Sequence, residues 1–363
     1  MIAGTRPNFI KLAPLYHRLK QQEGYEPFIC HTGQHFDFNM SDVFWDNLEL
    51  PEPEFSLNIQ GDGVADTIGK TILGVNSVIR AHPFDLVVVF GDVNATAAGA
   101  IAAAQSRIPV MHVEAGLRSF DRDMPEEINR IITDHVADFL MVSEPSGLDN
   151  LEREGFSKDS YKMVGNIMIE SLLRTRPKWE QVALPANLEA LSSQSPVVMT
   201  FHRPENVDRE DNLLRVATII VALAADHKVI FPVHPRTRAK LQQFGLMEKL
   251  AGVESITLTE PLGYFHFLKL VSKSGLVVTD SGGVQEETSF LNIPCITFRK
   301  NTERPVTVSV GTNRMMDLLD DAFLQKIAEH VDYIRNRSYR SIPCWDDQVS
   351  SRILDFTEKH LPA

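Results

Sequence analysis

Three acidic residues stand where a proton could be moved. Asp92 follows the run Asp85–Phe90 (DLVVVF) with only Gly91 between, and Glu114 directly follows Ile108–Val113 (IPVMHV). Both runs are nearly all apolar and read as buried strands, which puts the two acids at C-terminal strand ends of one sheet. Glu126 falls in the first turn of the next expected helix, 125–137. Like charges that converge raise at least one pKa, so one cluster can supply both an acid and a base. The residues leave open which acid takes which role. His202 follows another short apolar run, Val197–Thr200. An imidazolium there can balance a diphosphate or pass a proton. Arg203 beside it can bind a phosphate or one of the acids.

A second pattern suits phosphate. Asp280-Ser281-Gly282-Gly283 lies between an expected strand, Leu276–Thr279, and an expected helix, 283–291. Glycines let backbone approach a ligand, and the free N–H groups of a helix N-terminus favour an anion. Ser281 adds a hydroxyl, and Glu287 lies far enough into the helix for its carboxylate to take both hydroxyls of a ribose. Arg6, in the first β–α turn Gly4-Thr5-Arg6-Pro7, can fork onto a phosphate. Lys11 falls inside the following helix, where a lysine is expected to be solvated. His112 precedes Glu114 by two residues and shares its side of the strand.

The elements that must position these groups alternate. Helical spacing at 10–21, 64–80, 94–105 and 125–137 is interleaved with strands at 26–31, 85–90, 108–113 and 139–142. Strands at 197–200, 228–232, 255–258, 276–279 and 296–298 repeat the pattern with helices between them. Such alternation predicts doubly wound parallel sheets with helices on both faces, and ligands at the strand C-termini. With 363 residues the chain exceeds the roughly 250–300 at which single cores stop growing. The expected division is 1–165, 166–345 and a last helix in 346–363, which either closes the second domain or crosses back to the first. Only three residues precede Gly4, so the first strand is read as very short or the chain start as displaced.

A formal charge of −12 argues against general affinity for nucleic acid or an anionic membrane. No run reaches about 18 continuous apolar residues, and no leader peptide is visible. Cys30, Cys295 and Cys344 share no metal-ligand spacing, and the first two read as small apolar residues. These features fit a reducing, cytoplasmic setting with no metal.

The motifs carry a resemblance. Gly4-Thr5-Arg6-Pro7-Asn8-Phe9-Ile10-Lys11, Thr32-Gly33-Gln34-His35, Gly91-Asp92-Val93-Asn94, His112-Val113-Glu114-Ala115-Gly116-Leu117-Arg118 and Met124-Pro125-Glu126-Glu127-Ile128-Asn129-Arg130 occur in the first half. Thr200-Phe201-His202-Arg203-Pro204-Glu205-Asn206, Pro232-Val233-His234-Pro235 and Asp280-Ser281-Gly282-Gly283-Val284-Gln285-Glu286-Glu287 follow in the second. In this order they resemble the non-hydrolysing UDP-N-acetylglucosamine 2-epimerases across nearly the whole chain. The resemblance implies two Rossmann-like domains in the glycosyltransferase-B arrangement and a homodimer. It implies an isomerase that interconverts UDP-GlcNAc and UDP-ManNAc for polysaccharide synthesis, without NAD or metal.

It further implies Asp92, Glu114, Glu126 and His202 as the catalytic set. UDP contacts fall to Arg6, Arg203, His234, Ser281, Gly282, Gly283, Glu287 and Arg304, and effector or substrate contacts to Gln34, His35 and Arg118. Because C2 of an N-acetylhexosamine is not acidic, the implied route is elimination of UDP to a glycal and its re-addition. Two departures stand out. The segment 60–69 lacks the His and Gln-Thr common in the family, and Asn8 stands where a Glu is common. They leave room for a hydrolysing enzyme or for a 2-epimerase of a diacetamido sugar or its uronic acid. A glycosyltransferase of similar fold and a non-catalytic UDP-sugar-binding protein are the more distant alternatives.

Overall fold

The computed structural model describes residues 1–33 and 45–361. The chain divides into two compact units, Met1–Thr175 with Pro343–Ala363, and Arg176–Ile342.

The first unit is built on a parallel sheet of β1 (Ile2–Ala3), β2 (Cys30–His31), β3 (Phe55–Ser56), β4 (Val87–Phe90), β5 (Val110–Ala115), β6 (Phe139–Val142) and β7 (Tyr161–Met163). Their spatial order is β3-β2-β1-β4-β5-β6-β7. The helices that concern the site are α1 (Arg6–Lys20), α2 (Val64–Ala81), α3 (Asn94–Gln105), α4 (Pro125–Val136), α5 (Pro145–Arg153) and α6 (Ile167–Arg174). β4 and β5 are buried throughout, which is why they read as continuous apolar runs. α3 is rich in alanine because it lies close on the sheet. A Cβ added at Gly99 would stand 2.7 Å from Ile2 Cδ1.

The last helix, Val349–His360, belongs to this unit and packs on α1 and α6. Its N-terminus is fastened by Glu170, which accepts from Ser350 N–H at 2.6 Å and from the Ser350 hydroxyl. Just ahead of it, Trp345 Nε1 donates to Ser143 O at 3.1 Å.

The second unit is built on a parallel sheet of β8 (Val197–Thr200), β9 (Val229–Pro232), β10 (Ile256–Thr259), β11 (Leu276–Thr279), β12 (Cys295–Phe298) and β13 (Asn313–Met316), in the order β10-β9-β8-β11-β12-β13. Here α7 (Pro204–Val207), α8 (Glu210–Leu223), α9 (Pro235–Gln243), α10 (Tyr264–Ser272), α11 (Gly282–Leu291) and α12 (Phe323–Asn336) carry or flank the site. Phe201, Phe231, Phe298 and the apolar side of α8 fill one core layer.

Both units are Rossmann-like and doubly wound, as the alternation predicts. Each sheet reverses its winding between two neighbouring strands, β1 and β4 in the first unit and β8 and β11 in the second. Connections leave such a pair toward opposite faces and open a crevice at the strand C-termini, where these folds take ligands. The turns after β1 and β4 are Gly4–Thr5 and Gly91–Asp92, and those after β8 and β11 contain His202–Arg203 and Asp280–Ser281. Every chemical motif picked from the sequence in these turns therefore borders a reversal point.

Candidate active site

In the first unit the acids are built into the strand ends together with cations. Glu114 is 4% exposed and has φ +78°, a left-handed conformation strained for a side chain with a Cβ. It sits at a register shift between β5 and β6. Its Oε2 lies 2.6 Å from Lys11 Nζ. Lys11, expected at the surface, is instead buried, with 8% of its side chain exposed. Helix α1 runs beside the strand ends, so this lysine points across Gly91. Gly91 has φ +65°, and a Cβ there would stand 2.8 Å from Lys11 Nζ. The glycine thus serves both the turn and the passage of the lysine.

Asp92 pairs with Arg130 of α4, and Asn129 Nδ2 donates to its carbonyl at 2.9 Å. Arg130 also pairs with Glu127 at 2.6 Å. The two neighbouring acids at the start of α4 have different jobs. Glu127 is 1% exposed and accepts from Ser119 N–H and Phe120 N–H, both at 2.9 Å. Burial alone would raise its carboxyl, but these N–H donors and Arg130 hold it below the ordinary value. Glu126 is half-buried and pairs with no cation among the described residues.

Arg6 is exposed at the start of α1. The turn before it is organised by Asn8, whose Oδ1 accepts from Gly4 N–H and Thr5 N–H at 3.2 Å each. Asn8 Nδ2 donates to Phe90 O at 2.9 Å, joining this turn to the end of β4. A carboxylate could not make that last bond.

Arg118, read from the resemblance as an effector or substrate contact, is 4% exposed with its guanidinium engaged inside the unit. Nε and Nη2 fork onto Glu154 at 2.8 and 2.7 Å, and Nη1 binds Asp134 at 2.6 Å. Gln34 and His35 lie outside the described residues.

In the second unit one carboxylate organises the turns. Asp280 is fully buried and accepts from His202 N–H at 3.1 Å, Arg203 N–H at 3.0 Å and Asn206 Nδ2 at 3.1 Å. His202 Nδ1 lies 3.1 Å from its other oxygen. Burial alone would raise the Asp280 carboxyl, but the His202 ring and these donors hold it below the usual range. Arg203 Nε donates to Asp280 O at 3.0 Å, so the β8 and β11 turns are tied twice. The His202 ring keeps 40% of its surface exposed.

His234 caps α9, with Nδ1 accepting from Arg236 N–H at 3.2 Å, and its ring centre is 5.6 Å from that of His202. Burial first, and then the neighbouring His202, lower its pKa.

Ser281 is the N-cap of α11 and its hydroxyl makes no capping bond. A Cβ on Gly282 would stand 2.8 Å from Glu303 Oε1, whereas Gly283 faces open space. The first N–H groups of α11 are therefore left for an anion. Further along, Glu287 is 4% exposed, and burial pushes its carboxyl up to about 8. The Tyr264 hydroxyl lies beside it without a well-aligned hydrogen bond, and Glu286 adds a like charge. Arg304, 5% exposed, pairs with Glu286 at 2.8 Å.

The structure thus brings Asp92 and Glu114 to adjacent turns of the first unit, and His202, Arg203, Ser281, Gly282 and Gly283 to adjacent turns of the second. Lys11, Arg130 and Asp280 join them, although sequence reasoning gave Lys11 and Arg130 no role in the site and read Asp280 only as part of a phosphate turn. Among the described residues no group of three or more His, Cys, Asp or Glu is placed to hold a metal ion. No described helix is long and apolar enough to cross a membrane.

The chain is similar to known proteins over nearly its whole length. The family model described as UDP-N-acetylglucosamine 2-epimerase matches residues 17–358. A UDP-N-acetylglucosamine 2-epimerase of Methanocaldococcus jannaschii is 41% identical over 318 residues, 86% of each chain. A UDP-2,3-diacetamido-2,3-dideoxy-D-glucuronate 2-epimerase of Pseudomonas aeruginosa is 38% identical over 330 residues, 89% of each. The crystal structure of the M. jannaschii UDP-GlcNAc 2-epimerase in complex with UDP-GlcNAc and UDP superposes with a TM-score of 0.86 at 37% identity, covering 99% of this chain and 98% of that one.

Proposed function

Because the chain belongs to the UDP-N-acetylglucosamine 2-epimerase family, we propose that it reversibly inverts C2 of UDP-N-acetylglucosamine to give UDP-N-acetylmannosamine. The observation that carries this reading is the pairing of each strand-end acid with its own cation, Glu114 with Lys11 and Asp92 with Arg130. Each acid is thereby held in place at its strand end, as a group that must reach C2 requires.

One carboxylate removes the C2 proton while the C1–O bond breaks and UDP leaves, giving a glycal. UDP then adds back to C1 and a proton is delivered to the opposite face of C2. Asp92 and Glu114 at the strand ends are the proposed acceptors, and Glu126 the proposed donor. The Lys11 ammonium, 2.6 Å from Glu114 Oε2, fixes the position of that carboxylate.

Arg203, His234, Ser281 and the N–H groups of Gly282 and Gly283 in the second unit are proposed to hold the diphosphate as it departs, which is where negative charge develops; Arg6 of the first unit is a further candidate phosphate contact. Glu287 is proposed to take the ribose hydroxyls, with Arg304 fixing the neighbouring Glu286. The homodimer and the cytoplasmic setting belong to the same reading, and sedimentation of the purified protein tests the first.

A second substrate is favoured by one observation, the 38% identity to the P. aeruginosa diacetamido-glucuronate enzyme. Chromatography of either UDP-sugar after incubation with the protein tests both. Conversion to the C2 epimer without free sugar supports the proposal. Free UDP with free N-acetylmannosamine would replace it with a hydrolysing enzyme.

A further inference from the structure

Behind the two strand-end acids lies a buried charged chain that the proposed reaction does not use. His112 and Asp134 are both fully buried. His112 Nδ1 is 2.6 Å from Asp134 Oδ1, and Nε2 is 2.7 Å from Gly91 O. The ring thus bridges the Asp134 carboxylate and the Gly91 carbonyl. The Gly91 carbonyl belongs to the peptide that leads into Asp92. The other oxygen of Asp134 accepts from Gly116 N–H at 3.1 Å and from Arg118 Nη1 at 2.6 Å. Gly116 ends the turn that holds Glu114 in its strained conformation. It has φ +79°, and a Cβ there would stand 2.5 Å from Gly147 O.

Asp134 and Arg118 are buried charged groups, and they carry a heavy desolvation penalty unless they are paired, as they are here. Replacing them with apolar residues would commonly give equal or greater stability. Stability alone therefore gives a weak reason for their presence. The two backbone groups they hold are different in kind, one at each acid-bearing turn.

We infer that Asp134, acting through His112 and Gly116, is a positioning residue that fixes the Asp92 and Glu114 turns relative to each other. The helix α4 that supplies Asp134 also supplies Arg130 to Asp92 and carries Glu126. One rigid element thus sets the spacing of all three acids. Arg118 is the outer anchor, held in turn by the fork onto Glu154. This inference rests on the proposed epimerisation.

The test is Asp134→Asn, an isosteric change that removes the charge and one acceptor. The kcat for C2 inversion is expected to fall by up to about 100-fold, as a displacement of roughly 1 Å can produce. KM for the UDP-sugar and the Kd for UDP are expected to stay within twofold, because the proposed nucleotide contacts are elsewhere. Unchanged kcat, or a parallel rise in KM and Kd, would overturn the inference. If Asp134→Asn does not fold, Glu154→Gln serves, since it loosens only the outer anchor and 28% of the Glu154 side chain is exposed. It is expected to lower kcat a few-fold at constant Kd, and no change would again count against positioning. Failure of the unmutated protein to invert C2 would instead sink the functional reading itself.

Discussion

Lys11 Nζ and Glu114 Oε2 meet at 2.6 Å, a helix residue and a strand-end residue joined across the open side of Gly91. Neither is at the surface. The pair sets the charge of an acid on a strained backbone, and it makes Lys11 as much a part of the candidate site as the carboxylates. Lys11→Met keeps the apolar stem and removes the charge. It leaves Glu114 buried without its cation, which is expected to lower stability by about 3–5 kcal/mol. Inversion is expected to slow by at least about 100-fold, the scale of a lost acid–base partner. Thermal unfolding and turnover, measured together, check both parts. Turnover near that of the unmutated protein would remove Lys11 from the site.

Gly91→Ala tests the same pair from the backbone side. A Cβ at φ +65° is strained in itself, and it would displace Lys11 Nζ from 2.8 Å. Activity is expected to fall at least about tenfold, with UDP affinity retained. Calorimetric titration with UDP distinguishes this from general unfolding.

Much of the fold was legible from its residues, and each gap has a physical cause. Asp92 and Glu114 stood out because each follows a run of apolar residues at the end of a buried strand. Lys11 did not, because helical spacing tells which residues share a face but not which face meets a strand end. Arg130 and Asp134 lie in the middle of α4, where charged residues more often face water. Glu126 and Glu127 are adjacent in an identical local setting, and only the fold separates the half-buried one from the one that holds Ser119 and Phe120. The strands at Phe55–Ser56 and Asn313–Met316 were missed because one has two residues and the other is polar at its start.

In the second unit Asp280 was read only as part of a phosphate turn, and its geometry gives it a different task. Asp280→Ala would leave the His202, Arg203 and Asn206 donors without their acceptor. The expected loss of stability is about 2–4 kcal/mol. Because the folded carboxyl is held below its ordinary value, its stabilisation is present above the unfolded pKa. It disappears as pH falls through the folded pKa. The difference between the proteins, followed by denaturant unfolding, should therefore be constant near neutrality and shrink only in strong acid. A difference that instead vanished at neutral pH would contradict the hub.

Glu287 behaves in the opposite sense. Burial raises its pKa from 4.5 to about 8, so between these values the folded protein holds a proton that the unfolded chain releases. Stability is fully present below the unfolded value and is lost as pH rises through the folded one. Glu287→Gln keeps the neutral shape and removes this loss. The variant is expected to gain on the unmutated protein as pH rises from 5 to 9, by a total on the order of 3 kcal/mol. Parallel stability curves for the two proteins would show that Glu287 is ionised throughout.

The central claim is that the proton on C2 is removed and replaced while UDP leaves and returns. Proton NMR of the purified protein with UDP-N-acetylglucosamine in D₂O tests it most directly. The account expects UDP-N-acetylmannosamine to appear with deuterium at C2, and deuterium to enter C2 of the remaining substrate as equilibrium is reached. Formation of the epimer with C2 protium retained would contradict proton removal by Asp92 or Glu114, and with it the proposed chemistry.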